Sequence, residues 1–280
     1  MKPFKNILLL TDFSEVSRNA MEYALLIAKK TNAEVELMHI VNTPVDWISI
    51  SMEQEKLYPE TIEQIITAKN NLQEMLQVFK ENSVEAKEAI VFNVGVENIP
   101  KYIESKSLDM VIMGSHGASG IKEYTLGSNA EKIVRNLKFP VLVVKNKLKT
   151  NNLSSIVFAS NFTKNQLKPF EVLRNFAELL HTQLHLLYIN TPYNFKETPE
   201  IEQMTTLFCG NCEDKACRKH TYNAFNEERG VKEFMKNEPI DIFTVATEGR
   251  SSFAQLFSPS LSENISIQLH IPVLSMHTID

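Results

Sequence analysis

Residues 108–142 read LDMVIMGSHGASGIKEYTLGSNAEKIVRNLKFPVL. A short apolar run, a loop punctuated by glycines, a stretch with helix-start chemistry and a second apolar run opened by proline make a strand–loop–helix–strand unit. Residues 240–274, IDIFTVATEGRSSFAQLFSPSLSENISIQLHIPVL, align with it without a gap, and ten of the 35 positions are identical. Most of the others keep their polarity. Duplication of one α/β unit explains this better than chance likeness between two short segments.

The duplication extends upstream. KNILLLTDFS (5–14) is echoed by SSIVFASNFT (154–163), each an apolar run followed by a polar turn containing Phe. Ala20, Tyr23, Ala24, Ile27 and Ala28 then recur at helical spacing, and a counterpart helix is expected from about Asn165 to His181. VELMHIV and LHLLYI follow, both leading into Asn-Thr-Pro. The polar stretch KNKLKTNNLSS reads as a linker, which divides the chain into domains 1–146 and 153–280. In the first copy the patterning predicts strands near 6–10, 35–40, 87–92, 109–113 and 140–145. It predicts helices near 16–31, 60–82, 96–106 and 128–137. Alternating strands and helices imply a parallel sheet with right-handed crossovers. Such a sheet takes ligands beyond the carboxyl ends of its strands, where strand order reverses.

The bulk properties narrow the function classes. A chain of 280 residues with 43% apolar and 22% charged residues is globular and long enough for two domains. Its net charge of −5 argues against an extended nucleic-acid-binding face, while free nucleotides remain suitable ligands. MKPFKNILLLTDF is too short an apolar run for a signal peptide, and no other run is long enough to span a bilayer, so a cytoplasmic location is expected.

The loop after DMVIM carries Gly114-x2-Gly117-x9-Gly127-Ser128 and then a helix. Backbone free of side chains, aimed by a helix N-terminus, makes a phosphate cradle. No G-x4-G-K-[ST] is present, so this is not a Walker-type loop. The spacing is similar to the ATP-binding signature of the universal stress protein family. TDFS (11–14), the His39-Ile40 pair, MGSHG (113–117) and PVLVVK (140–145) look like that family too. The resemblance covers residues 1–146 and, more weakly, 153–280. It implies two tandem Rossmann-like (adenine nucleotide α-hydrolase-like) α/β domains. Each would be an open parallel five-stranded sheet with helices on both faces, the second copy abbreviated.

It further implies a ligand, ATP or its relatives ADP and AMP, and roles for particular residues. Asp12 and the Ile40 backbone would contact adenine, with Leu10 and Thr11 lining that end and Gly95 closing it. Met113 and Gly114 would sit near the ribose, and Gly117, Gly127, Ser128, His116 and Asn129 around the phosphates. Local structure offers a second reading for some of these. Ser128-x-x-Glu131 reads equally as a capping box, Asp12-x-x-Glu15 as a helix cap, and His116 as a solvated loop residue. The second copy keeps Ser260-x-x-Glu263 but has Ala246, Pro259, Asn161 and Glu248 where the first has Gly114, Gly127, Asp12 and His116. It is therefore not expected to bind nucleotide in the same manner.

The second copy carries its own signal, FCGNCEDKACRKH, with Cys209, Cys212, Cys217 and His220 spaced C-x2-C-x4-C-x2-H. Four such ligands suit a closed, structural tetrahedral zinc site. Reduced, unliganded thiols and a redox C-x-x-C are the other readings. The short distance between Ile189 and Ile240 leads to the expectation that the third strand of this copy is shortened or missing and that a metal staples what remains. The connection 43–60, with Trp47, reads either as a lid or as packing on the domain edge. The apolar last strands are expected to pair the two copies internally as a pseudo-dimer that leaves no edge exposed, with further homodimerisation open. The leading function is a nucleotide-binding regulator read by a protein partner. A slow ATPase or phosphotransferase and a zinc-stapled scaffold are the competing readings.

Overall fold

The computed structural model describes residues 4–93, 102–115, 137–210, 217–247 and 271–277. Five strands belong to the first half: β1 (Asn6–Leu10), β2 (Glu34–Asn42), β3 (Ala86–Asn93), β4 (Met110–Gly114) and β5 (Val141–Val144). Helices α1 (Glu15–Thr31), the short α2 (Met52–Glu55) and α3 (Pro59–Glu81) lie among them. The second half has β6 (Ser155–Ala159), β7 (Gln183–Asn190), β8 (Cys217–Asn223), β9 (Ile242–Thr247) and β10 (Val273–His277). Its helices are α4 (Leu167–Leu180), α5 (Thr198–Cys209) and α6 (Glu227–Asn237). The helix expected at 128–137 and most of that at 96–106 lie outside the described residues, apart from a helical turn at 102–104.

All ten strands form one sheet, ordered β3-β2-β1-β4-β5-β10-β9-β6-β7-β8. Pairing within each half is parallel, and the junction β5–β10 is antiparallel, with Leu142 opposite Leu274 and Val143 opposite Val273. The two expected five-stranded sheets are thus fused through their last strands. The fusion covers two edges only: β3 and β8 remain the outer strands.

Side-chain alternation sorts each strand between two cores. Ile7 and Leu9 face the layer of α1 and α3, while Leu8 and Leu10 face the opposite side. On the first face α1 buries Ala20, Tyr23, Ala24, Ile27 and Ala28, the stripe read from the sequence. The same apolar cluster continues through Phe170, Leu173 and Phe176 of α4 into the second half, with the rings of Phe4 and Phe176 5.1 Å apart. On the other face Ile103, Val231 and Phe234 cover the sheet.

Two expectations need correction or completion. The third strand of the second half is neither missing nor stunted: β8 pairs with β7 from Leu184–Cys217 to Asn190–Asn223. Length is saved elsewhere, because α5 has 12 residues where α3 has 23. Trp47 is buried beneath its connection with Val41, Ile65 and Ala68, near the rings of Tyr58 and Phe92, so it packs on the domain edge.

Candidate functional site

The chain leaves β1 for β2 and β3 on one side and returns to β4 on the other, so strand order reverses between β1 and β4. Leu10, Thr11, Asp12, Ile40, Met113 and Gly114 all lie at the carboxyl ends of these strands. Leu10, Thr11 and Met113 are buried, while Asp12, Ile40 and Gly114 are partly exposed at the rim. The structure therefore brings together the expected adenine and ribose ends of the site. Gly95, His116, Gly117, Gly127, Ser128 and Asn129 lie outside the described residues.

The turn after β1 is tightly built. Thr11 N–H donates to Met38 C=O at 3.0 Å, one more rung beyond the ladder. Phe13 adopts φ of 66°, a left-handed conformation that costs a non-glycine residue energy and persists because its neighbours hold it. Its N–H donates to Thr11 Oγ1 at 3.1 Å. Ser14 donates from both N–H (3.1 Å) and Oγ (2.6 Å) to Asp12 Oδ1, and its Oγ accepts from Ser17 N–H as the N-cap of α1. Asp12 is thereby oriented by Ser14, and Ser14, not Asp12, caps the helix.

Sequence reasoning singled out His39 only as part of a family-like pair, yet it completes this turn. Its Nδ1 lies 2.8 Å from Thr11 C=O, and its ring centroid is 4.4 Å from that of Phe13. Burial lowers the pKa of His39 against the raising effects of the Thr11 hydrogen bond and of Asp12. The turn itself repeats as TDFS and SNFT: Phe162 also has positive φ, 55°, and donates its N–H to Ser160 Oγ.

Gly114 ends β4 against the first turn of α1. A Cβ there would meet Val16 Cγ1 at 3.1 Å and Ser17 N at 3.2 Å. This glycine lets a helix N-terminus approach the strand end closely. The second half has Ala246 at the matching position, and its helix α4 is preceded by a 3-10 turn, Lys164–Gln166.

The cysteine cluster does not form the expected four-ligand metal site. Cys217 and His220 are three residues apart on one strand, so they project from opposite faces of the sheet. Cys217 is buried with Cys209 in the cluster beneath α4 and α5. His220 lies on the far side, against Phe234 of α6 at 5.0 Å and with its Nε2 3.0 Å from His185 Nδ1. Cys212 lies outside the described residues, and among the described ones no three His, Cys, Asp or Glu side chains gather as metal ligands. Burial pushes His185 down from the usual 6.5 to about 4, with the neighbouring His220 adding to the shift. His220 is lowered chiefly by burial as well.

A profile described as the universal stress protein family matches residues 3–145. A universal stress protein of Methanocaldococcus jannaschii is 30% identical over 159 residues, covering 51% of this chain and 96% of that protein. One from Synechocystis sp. is 22% identical over 294 residues, covering 97% of this chain and 99% of its own. In structure, a universal stress protein from Archaeoglobus fulgidus superimposes with a TM-score of 0.76 at 22% identity, covering 99% of this chain and 98% of the other. Among the described residues, no helix is long and apolar enough to cross a membrane.

Proposed function

The chain belongs to the universal stress protein family, and on that footing we propose that its first half, residues 1–146, holds an adenine nucleotide of the ATP, ADP or AMP class. The observation that carries the reading is the convergence of Asp12, the Ile40 backbone and Gly114 at the β1/β4 reversal, the position where parallel sheets receive nucleotides. Asp12, held by Ser14, supplies a carboxylate acceptor suited to the exocyclic amine of adenine. Ile40 offers backbone donors and acceptors at the rim. Met113 and Gly114 form the floor under the ribose. The chain then enters the segment with Gly117, Gly127 and Ser128, whose sequence suits phosphate.

In this reading the protein is a regulator, not a turnover enzyme: occupancy of the site is what a protein partner reads. Residues 153–280 form the second, non-equivalent domain, whose turn has Asn161 in place of Asp12. Titration of the purified chain with ATP, ADP and AMP, followed by native mass spectrometry, tests this. One nucleotide per chain is expected, and Gly127→Glu and Asp12→Asn should each weaken it. Failure of the chain to take up any adenine nucleotide would sink the reading, and hydrolysis well above background would turn it towards an ATPase.

A further inference from the structure

The turn from Thr11 to Ser14 is fixed from two sides. From α1, Ser17 reaches it twice, its Oγ 3.1 Å from Thr11 Oγ1 and its N–H donating to Ser14 Oγ at 3.2 Å. From β2, His39 reaches it twice, through Nδ1 to the Thr11 carbonyl at 2.8 Å and through its ring to Phe13 at 4.4 Å. A carbonyl oxygen only accepts, so Nδ1 carries the proton, and the residue that donates sits immediately before Ile40 in the chain. His39 thus touches both neighbours of Asp12 and is covalently joined to the residue whose backbone faces the same rim.

The second half supplies an internal control. Ser160 N–H donates to Leu187 C=O as Thr11 N–H does to Met38 C=O, so Tyr188 occupies the place of His39. The Phe162 turn still forms with φ of 55°, although Tyr188 stands 6.3 Å from that ring and spends its hydroxyl on Asn194 C=O at 3.2 Å. A histidine is therefore not required to make the turn. What His39 adds is a bond between β2 and the carbonyl that precedes Asp12, present in the half with the aspartate and replaced in the half with Asn161.

We propose that His39 is a positioning residue of the nucleotide site, setting the gap between the Asp12 carboxylate and the Ile40 backbone in which the base edge is read. The inference rests on the adenine-nucleotide reading above. A fixed gap favours adenine, whose amine donates to Asp12, over guanine, whose carbonyl oxygen at that position would face a carboxylate.

The test is the affinity of the full chain for ATP and for GTP, measured by calorimetry, with melting temperature recorded alongside. His39→Phe keeps a ring against Phe13 and removes the donor. It should lower ATP affinity about tenfold, the worth of one hydrogen bond, and reduce the preference for ATP over GTP. His39→Asn restores an N–H near the position of Nδ1 and should recover most of both. Should His39→Phe fail to fold, His39→Tyr, the residue the second half uses, takes its place with the same expected loss. If wild type binds ATP and the variants match it in affinity and base preference, the positioning role is wrong while the nucleotide reading stands. If wild type binds no adenine nucleotide, both fall.

Discussion

At the scale of single residues, three positions show how context decides a role. Gly114 is placed where a Cβ would press on α1, so its lack of a side chain has a packing reason besides any ligand. Ser14 takes the capping role for which Asp12 was the other candidate, and the aspartate accepts from Ser14 within its own turn. His185 is 3% exposed, hydrogen-bonded to His220, and faces Arg218 of β8, Phe234 of α6 and Glu238 just beyond α6. Its pKa in the fold is depressed to about 4 from an unfolded value near 6.5. The fold therefore favours the neutral ring. Stability from this group is complete above pH 6.5 and is lost as pH falls towards 4, on the order of 2 kcal/mol at pH 5. Urea unfolding of wild type and His185→Gln between pH 7.5 and 4.5 checks this: the variant should lose less stability on acidification. Equal pH slopes would remove His185 as the cause.

At the scale of elements, β8 is the instructive case. Its sequence, CRKHTYN, carries two of the four presumed zinc ligands and only one residue, Cys217, that is fully buried. Read as a loop it makes a metal knuckle; formed as an edge strand it sends its cysteine and histidine to opposite faces. Lys219 on the cysteine face donates to Thr206 Oγ1 of α5, and His220 and Tyr222 on the other face meet Phe234 of α6. The strand is held by pairing and packing on both sides. Dialysis against a chelator should accordingly leave the melting temperature unchanged, and added zinc should not raise it. A fall on chelation, with zinc released in proportion, would contradict this account of β8.

At the scale of the molecule, the antiparallel β5–β10 pair makes one sheet of two repeats. Leu142 and Leu274 sit opposite each other there, both almost wholly buried. The apolar cluster running from α1 to α4 passes beneath them, and Lys30 of α1 donates to Leu180 C=O at the end of α4 at 3.0 Å. The halves should therefore unfold together. Leu274→Ala removes core volume in the second half and should cost about 2–5 kcal/mol. The single tryptophan, Trp47, lies in the first half, so its fluorescence should report the loss as a lowered urea midpoint. A Trp47 transition that stays in place while far-ultraviolet circular dichroism shifts would mean that the halves are energetically separate.

The fold was legible because its signals are local and repeated. The periodicity of α1, the apolar strands, the duplicated 108–142 unit and the TDFS turn each depend on neighbours a few residues apart. The position of Asp12, Ile40, Met113 and Gly114 at one rim followed from strand order, which alternation of strands and helices already constrains. What only the tertiary structure decided are the matters that depend on which face a residue shows and what lies across from it. The spacing of Cys209, Cys217 and His220 is a one-dimensional fact, and pairing of β8 with β7 converts it into ligands on opposite sides of a sheet. His39 and Phe13 are far apart in sequence, and their contact exists because β2 lies beside β1. Length, too, misled: the space between Ile189 and Ile240 does not say whether a strand, a helix or a loop gives up residues, because hydrogen-bond pairing protects the strand and the solvent-facing helix is the cheaper element to shorten.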